Sequence, residues 1–226
     1  MKKVLKRFAL LSVAMLLAFA GCEKDPGSEN DNSNNGGGDT GNVSGTIAGH
    51  DYVDLGLPSG LKWATCNVGA ATPEDYGNYY AWGETTTKSE YTEENSVTMG
   101  QPMSDFSGNA TYDAARANWG GTWRMPTKAE MEELLNNCTW TWTTQNGVNG
   151  VRVTGTNGNS IFLPAAGYCH GSSYRRVGEE GDYWSSTPAN ENSPGLASSI
   201  CVESPGYCNT YFSGRYDGFT VRPVSE

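Results

Sequence analysis

Histidine is nearly absent from this 226-residue chain: His50 and His170 are the only two. His50 precedes the main block of motifs, so a metal centre built on a histidine pair is not expected. Basic residues are also few. From residue 23 onward 11 Lys+Arg face 25 Asp+Glu, a net charge of −14, and the longest basic run there is Arg175-Arg176. Such a balance repels phosphate backbones, which excludes nucleic-acid binding. No segment of roughly 20 to 50 residues recurs, which removes solenoids and propellers. There is no P-loop, no dinucleotide glycine fingerprint after a strand and no Gly-x-Ser-x-Gly elbow, so no named reaction has a motif here. Aliphatic side chains are thin, with seven Leu and three Ile beyond residue 43, whereas all seven Trp and all twelve Tyr lie there. The length fits one domain with extras, and its core must be built from aromatics and Val.

The ends of the chain differ in kind. Residues 1–7 carry Lys2, Lys3, Lys6 and Arg7, and residues 8–20 are apolar apart from Ser12. This charged-then-apolar order is that of a secretory signal, and the apolar run is short for a span of roughly 20 residues. Phe19-Ala20-Gly21-Cys22 resembles the bacterial lipobox, which makes residues 1–21 a lipoprotein signal peptide and Cys22 the lipidated first residue, anchored to the membrane by its acyl chains. Residues 22–42 then read as the lipidated cysteine and a flexible linker. Glu23 to Asn42 holds no aliphatic or aromatic side chain, and such a stretch cannot offset its chain entropy. Glu23-Lys24-Asp25 resembles the acidic export signal of surface lipoproteins of the Bacteroidota, which implies an outer-membrane protein displayed at the cell surface.

Residues 43–226 read as one α+β domain. Thr127-Lys128-Ala129-Glu130 has capping-box spacing ahead of Met131, Leu134 and Leu135, which predicts a helix over 127–136. Asp113-Ala114-Ala115-Arg116 with Gly120-Gly121 beyond predicts a shorter one over 112–118. Strands are predicted over 52–55, 61–65, 140–143, 151–154, 160–163, 183–186, 198–202, 209–212 and 219–222, with Asn157-Gly158 turning a tight hairpin.

Six phrases carry a resemblance: residues 52–69 (YVDLGLPSGLKWATCNVG), 79–84 (YYAWGE), 121–130 (GTWRMPTKAE), 161–168 (IFLPAAGY), 183–187 (YWSST) and 218–224 (GFTVRPV). Together they resemble the Fibrobacter succinogenes major paralogous domain, a group of exported proteins abundant in Bacteroidota. More distantly, the same phrases are similar to formylglycine-generating enzymes and to the variable proteins diversified by retroelements. That likeness implies a C-type-lectin-like module with two short helices, short antiparallel strands, long loops and termini that approach each other. Large aromatics usually supply buried area, so Tyr183, Trp184 and Phe219 read as core.

Five cysteines remain in the domain, an odd count in an exported chain. Cys66 and Cys138 lie in or beside the resemblant phrases and are expected to pair, as are Cys201 and Cys208, leaving Cys169. Cys169-His170 superficially resembles the cysteine-rich segment of formylglycine-generating enzymes, but Ser172, Ser173 and Tyr174 stand where those need a second cysteine. Adjacent strand residues also point to opposite faces, so catalysis is not expected. Glu179, Glu180 and Asp182 read as a solvated acidic run, and Glu203 and Asp217 as isolated. The lectin-like resemblance leaves room for calcium on oxygen ligands, though no EF-hand loop occurs. No other cofactor is called for.

Between Tyr183 and Gly218 the chain is rich in Ser, Asn, Tyr, Gly and Pro, a mixture suited to recognition. Strand alternation puts Tyr207, Asn209 and Tyr211 on one face. In the retroelement-diversified relatives the stretch before Gly-Phe carries the ligand-facing positions, which implies Tyr207, Asn209, Tyr211, Arg215, Tyr216 and Asp217 here. The expected function is non-catalytic binding of a glycan or protein ligand at the surface. The alternatives are a formylglycine-generating-type oxidase or a structural part of a surface assembly such as a pilus tip. Replacing Cys22 with Ser is expected to abolish incorporation of radiolabelled palmitate in bacterial cells; retention of the label by C22S would remove the anchor.

Overall fold

The computed structural model describes residues 43–226. The expected signal segment, Cys22 and the linker to residue 42 lie outside the described residues. In chain order the elements are β1 (Gly45–Ile47), β2 (His50–Asp54), β3 (Lys62–Ala64), α1 (Ala114–Trp119), α2 (Lys128–Asn137), β4 (Thr139–Gln145), β5 (Val148–Thr154) and β6 (Ser160–Pro164). They continue with β7 (Tyr168–His170), β8 (Ser173–Arg175), β9 (Glu180–Pro188), β10 (Leu196–Glu203), β11 (Tyr207–Gly214) and β12 (Val224–Ser225). The protein is mostly antiparallel sheet with few helices. One sheet runs β1-β2-β3-β12, a second β4-β5-β6, a third β9-β10-β11, and β7 pairs with β8. The last strand thus closes on the first sheet, with Val224 opposite Trp63.

Both helices begin where the caps put them. Thr127 accepts the Glu130 N–H at 3.3 Å while Glu130 accepts the Thr127 N–H at 2.8 Å, closing the capping box. Arg124 grips the same Glu130 carboxylate through both guanidinium nitrogens, at 2.8 and 2.7 Å. Met131 and Leu134 face the core. The shorter helix starts at Ala114 rather than 112, because Asp113 is the cap: its buried carboxylate accepts N–H groups from Gly108, Arg116 and Met125.

Tryptophan and tyrosine fill the interior as the composition requires. One cluster joins Trp63, Met131, Leu134, Val151, Leu163, Tyr183 and Val202 between the sheets and α2, and another joins Tyr80, Trp82, Phe106, Trp184 and Phe219. The Trp184 and Phe219 rings stack at 4.2 Å. Three buried indoles find acceptors, whereas the Trp63 and Trp140 N–H groups have none among the described residues. Trp82 finds Ser185 O, Trp184 finds Tyr80 O and Trp123 finds Ile47 O, all at 2.8 Å.

Three expectations need correction, each for an identifiable reason. Residues 219–222 form no strand; Phe219 bridges Tyr80 and Thr220 bridges Tyr183, so their backbone groups serve several partners instead of one ladder. Asn157-Gly158 does turn the hairpin between β5 and β6, but with positive φ at the glycine alone, whereas Asn146-Gly147 between β4 and β5 carries two positive angles, +48° and +85°. The Asn157 side chain bonds Asp54 O at 2.9 Å.

The cysteines are the third correction, because all five are free thiols. Cys201 lies opposite Asn209 and Cys208 opposite Val202, one residue out of register. Their side chains therefore leave the sheet on opposite faces and cannot meet. Cys138 ends α2 against the core, and Cys66 lines an apolar cavity of about 170 Å³ with Val53, Ile161 and Phe162.

Two arginines are buried with the aromatics. Arg222 donates to Asn67 Oδ1 (2.8 Å), Ala64 O (3.1 Å), Thr65 O (2.9 Å) and Phe162 O (2.9 Å), linking β3, β6 and the C-terminal segment. Burial depresses its pKa, so the carbonyl dipoles must hold the charge. Arg222→Met leaves several buried acceptors without donors and is expected to lower stability by about 3 kcal/mol. Urea unfolding measures this, and an unchanged midpoint would contradict the linkage.

Candidate functional site

The sheet β9-β10-β11 is packed on one face, and its other face is open only along β11, because Glu180, Asp182, Trp184 and Ser199 are buried. Tyr183, Ile200, Val202 and Cys208 point into the core. The alternate residues form cross-strand rows on the other side: Glu180, Glu203 and Tyr207; Asp182, Cys201 and Asn209; Trp184, Ser199 and Tyr211. On β11 the open side is aromatic and accessible, with Tyr207 48% and Tyr211 42% exposed. The Tyr211 phenol donates to Tyr207 Oη at 3.1 Å and Asn209 donates to the same oxygen at 3.3 Å. That donated hydrogen bond pushes the Tyr211 pKa up to about 12, while the two accepted bonds lower that of Tyr207.

Beside the rows lies a polar cleft of about 340 Å³, lined among others by His170, Arg175, Asp182, Ser213, Tyr216 and Asp217. Two backbone bonds between Cys169 and Gly218, both 2.8 Å, fasten the segment after β11 onto β7. Only glycine fits there: a Cβ on Gly218 would come within 2.9 Å of Tyr91 and 3.0 Å of Cys169. The fastening sets His170 Nδ1 2.8 Å from Asp217 Oδ1, with the imidazole edge-on to Tyr216 at 5.7 Å. Burial raises the Asp217 pKa despite the hydrogen bond to His170.

Asp182 is the more perturbed carboxyl. It is 7% exposed, hydrogen-bonded to the Cys201 thiol and close to Glu180, and burial first, then Glu180, pushes it up to about 8. Glu180 has a counter-charge, since Arg176 reaches it at 2.6 Å and Glu203 at 3.3 Å. The solvated acidic run is thus half wrong. Glu179 is exposed, but strand alternation carries Glu180 and Asp182 onto the inner row, where Glu180 meets Arg176, four residues before it, and Glu203 on the neighbouring strand shares that arginine. Glu203 and Asp217 are likewise partnered rather than isolated.

No protein-family model, curated protein or solved structure matches the chain. The site rests on its own geometry. Of the six residues expected to face a ligand, Tyr207, Asn209 and Tyr211 share the open face and Tyr216 and Asp217 line the cleft. Arg215 does not belong with them. It is 1% exposed, donates to Leu196 O, Thr98 O and Gln101 O, and lies 4.3 Å over the Trp82 ring. As a buried clamp on three carbonyls it lines a different cavity, with Met103, Asn190 and Pro194, and not the His170 cleft. His170 and Asp182 were missed as cleft residues, one dismissed with the cysteine beside it and the other assigned to a loop.

Cys169 and His170 separate as strand alternation requires. The thiol sits in the cluster of Tyr79, Ala81, Tyr91 and Ala166 with its pKa raised by burial, while the imidazole faces the cleft. Among the described residues no group of three or more His, Cys, Asp or Glu side chains is placed to hold a metal ion. The cleft offers paired donors and acceptors beside aromatic rings, an arrangement suited to hydroxyl groups.

Asp182 gives the site a pH signature. Its folded pKa lies above the unfolded value near 4, so the native state holds a proton that the unfolded chain has lost. Stability from this group is fully present below about pH 4 and falls as pH rises toward 8. Asp182→Asn should flatten that decline in thermal melts recorded across the window; an identical slope in the variant would contradict the burial of this carboxyl.

Proposed function

We propose that the protein is a lipid-anchored surface module of C-type-lectin-like fold that binds a glycan without catalysing its conversion. The observation that carries this reading is the union of an exposed Tyr207–Asn209–Tyr211 face with a polar cleft holding His170, Tyr216 and Asp217. Aromatic rings cover the apolar faces of sugar rings, and nearby carboxylate, amide and imidazole groups bond the hydroxyls. The fold reading is supported by the closure of β12 on β3, by two short helices, and by the long irregular stretch between β3 and α1. The lipobox-like Cys22 and a linker that opens with the acidic Glu23-Lys24-Asp25 support display at the cell surface, where such a face meets extracellular material. The resemblance to exported proteins of the Bacteroidota points the same way.

Glycan-array binding tests it. The intact protein should retain a defined set of sugars, and Tyr211→Ala and Tyr216→Ala should each weaken binding by about tenfold, the loss of one ring contact. Arg215 lies outside the surface, so it is not a test position. A blank array together with turnover of a substrate by the purified protein would overturn the reading.

A further inference from the structure

The glycan reading uses a face and a cleft, but β11 also has an edge. The third sheet runs β11-β10-β9, and among the described residues no strand or isolated bridge pairs with the far side of β11. Its pairing to β10 is continuous over eight residues, from Tyr207 opposite Glu203 to Gly214 opposite Leu196, with no register shift. Monomeric proteins protect such edges with lysine, proline, bulges or shortness. β11 has none of these: its sequence YCNTYFSG carries no charge and no proline. Phe212, at 50% exposure, lies beside Tyr207 and Tyr211 on the same strand.

We infer that the free edge of β11 is a strand-addition site for an extended, cationic peptide segment of a partner protein. An edge of unpaired N–H and C=O groups is complementary to another extended backbone. The side-chain register then sets the chemistry. On the open face an added strand lies about 4.8 Å from β11, so every second residue meets Tyr207, Asn209 or Tyr211. Behind those rings stand Glu203 and Glu180, which with Glu179 outnumber their single counter-charge, Arg176. A guanidinium or ammonium group over a tyrosine ring and facing acidic neighbours is favoured on both counts. On the opposite face the strand meets Thr210 and Phe212, which accept a β-branched or apolar residue. The partner segment therefore alternates cationic with β-branched side chains. A second copy of this chain fits poorly, because its described residues carry 10 Lys+Arg against 20 Asp+Glu and its own edge brings no positive charge.

The Thr210 N–H donates to the Asn209 side chain at 2.8 Å, which makes it a group that proline can replace on an edge strand. The probe is the peptide acetyl-Thr-Arg-Val-Arg-Thr-Arg-Thr-amide, with a control bearing Glu for each Arg, titrated into the full-length protein by fluorescence anisotropy and amide hydrogen exchange. The arginine peptide should bind, weaken as salt rises, and slow exchange at residues 207–214. Thr210→Pro should weaken it by about tenfold, the scale of one lost backbone bond with its strand pairing. Phe212→Lys gives a second variant in case the proline disturbs folding, and should weaken it likewise. Absent binding, equal binding of the glutamate peptide, unchanged affinity in both variants, or protection elsewhere would overturn the inference. Self-association along β11 that excludes the peptide would also do so. Asp217→Asn, which alters the cleft, should leave peptide binding intact, so failure of the edge and failure of the glycan site are read separately.

Discussion

Arg222 has no carboxylate against it. Its guanidinium sits fully buried, held by the side chain of Asn67 and by three backbone carbonyls that belong to β3, the turn after it and β6. A buried charge stabilised only by dipoles tolerates little displacement, since every lost hydrogen bond exposes an ion to a low-dielectric interior. The consequence is topological. The C-terminal segment must thread between the first two sheets before β12 can pair with β3, so the two ends of the domain are fixed together. Arg215 repeats the device seven residues earlier, clamping three carbonyls around Trp82. The segment between these arginines holds Tyr216, Asp217 and Gly218.

That placement explains how a chain with short strands and long connections can hold a defined cleft. The frame on either side is rigid, and the loop between is pinned by the paired bonds of Cys169 and Gly218. Asp182 and Asp217 are then carboxyls whose pKa values burial raises, a condition that clusters at functional sites. The exposed face of β11 completes the surface beside the cleft.

Much of this was legible in the residues. The capping box at Thr127 and Glu130, the glycine stop at Gly120 and the alternation of Tyr207, Asn209 and Tyr211 are local signals, and local structure follows them. The core role of Trp184 and Phe219 followed from their size. What was not legible depends on contacts distant in sequence. Nothing near Arg215 distinguishes a clamp on Thr98 and Gln101 from an exposed donor. Nothing near Glu180 announces that Glu203, on the next strand, will share Arg176 with it. The expected Cys201–Cys208 bridge failed on a single residue of register, which spacing alone does not fix.

The central claim is that the open face and cleft, carried on the arginine-clamped frame, are where this protein meets its ligand. Chemical-shift mapping of the isotopically labelled protein during titration with extracellular polysaccharide addresses it directly. The account predicts perturbations concentrated at residues 207–217 and at His170, with the amides around Arg222 unmoved. Shifts confined to the apolar cavity beside Cys66, or spread through the core, would contradict it.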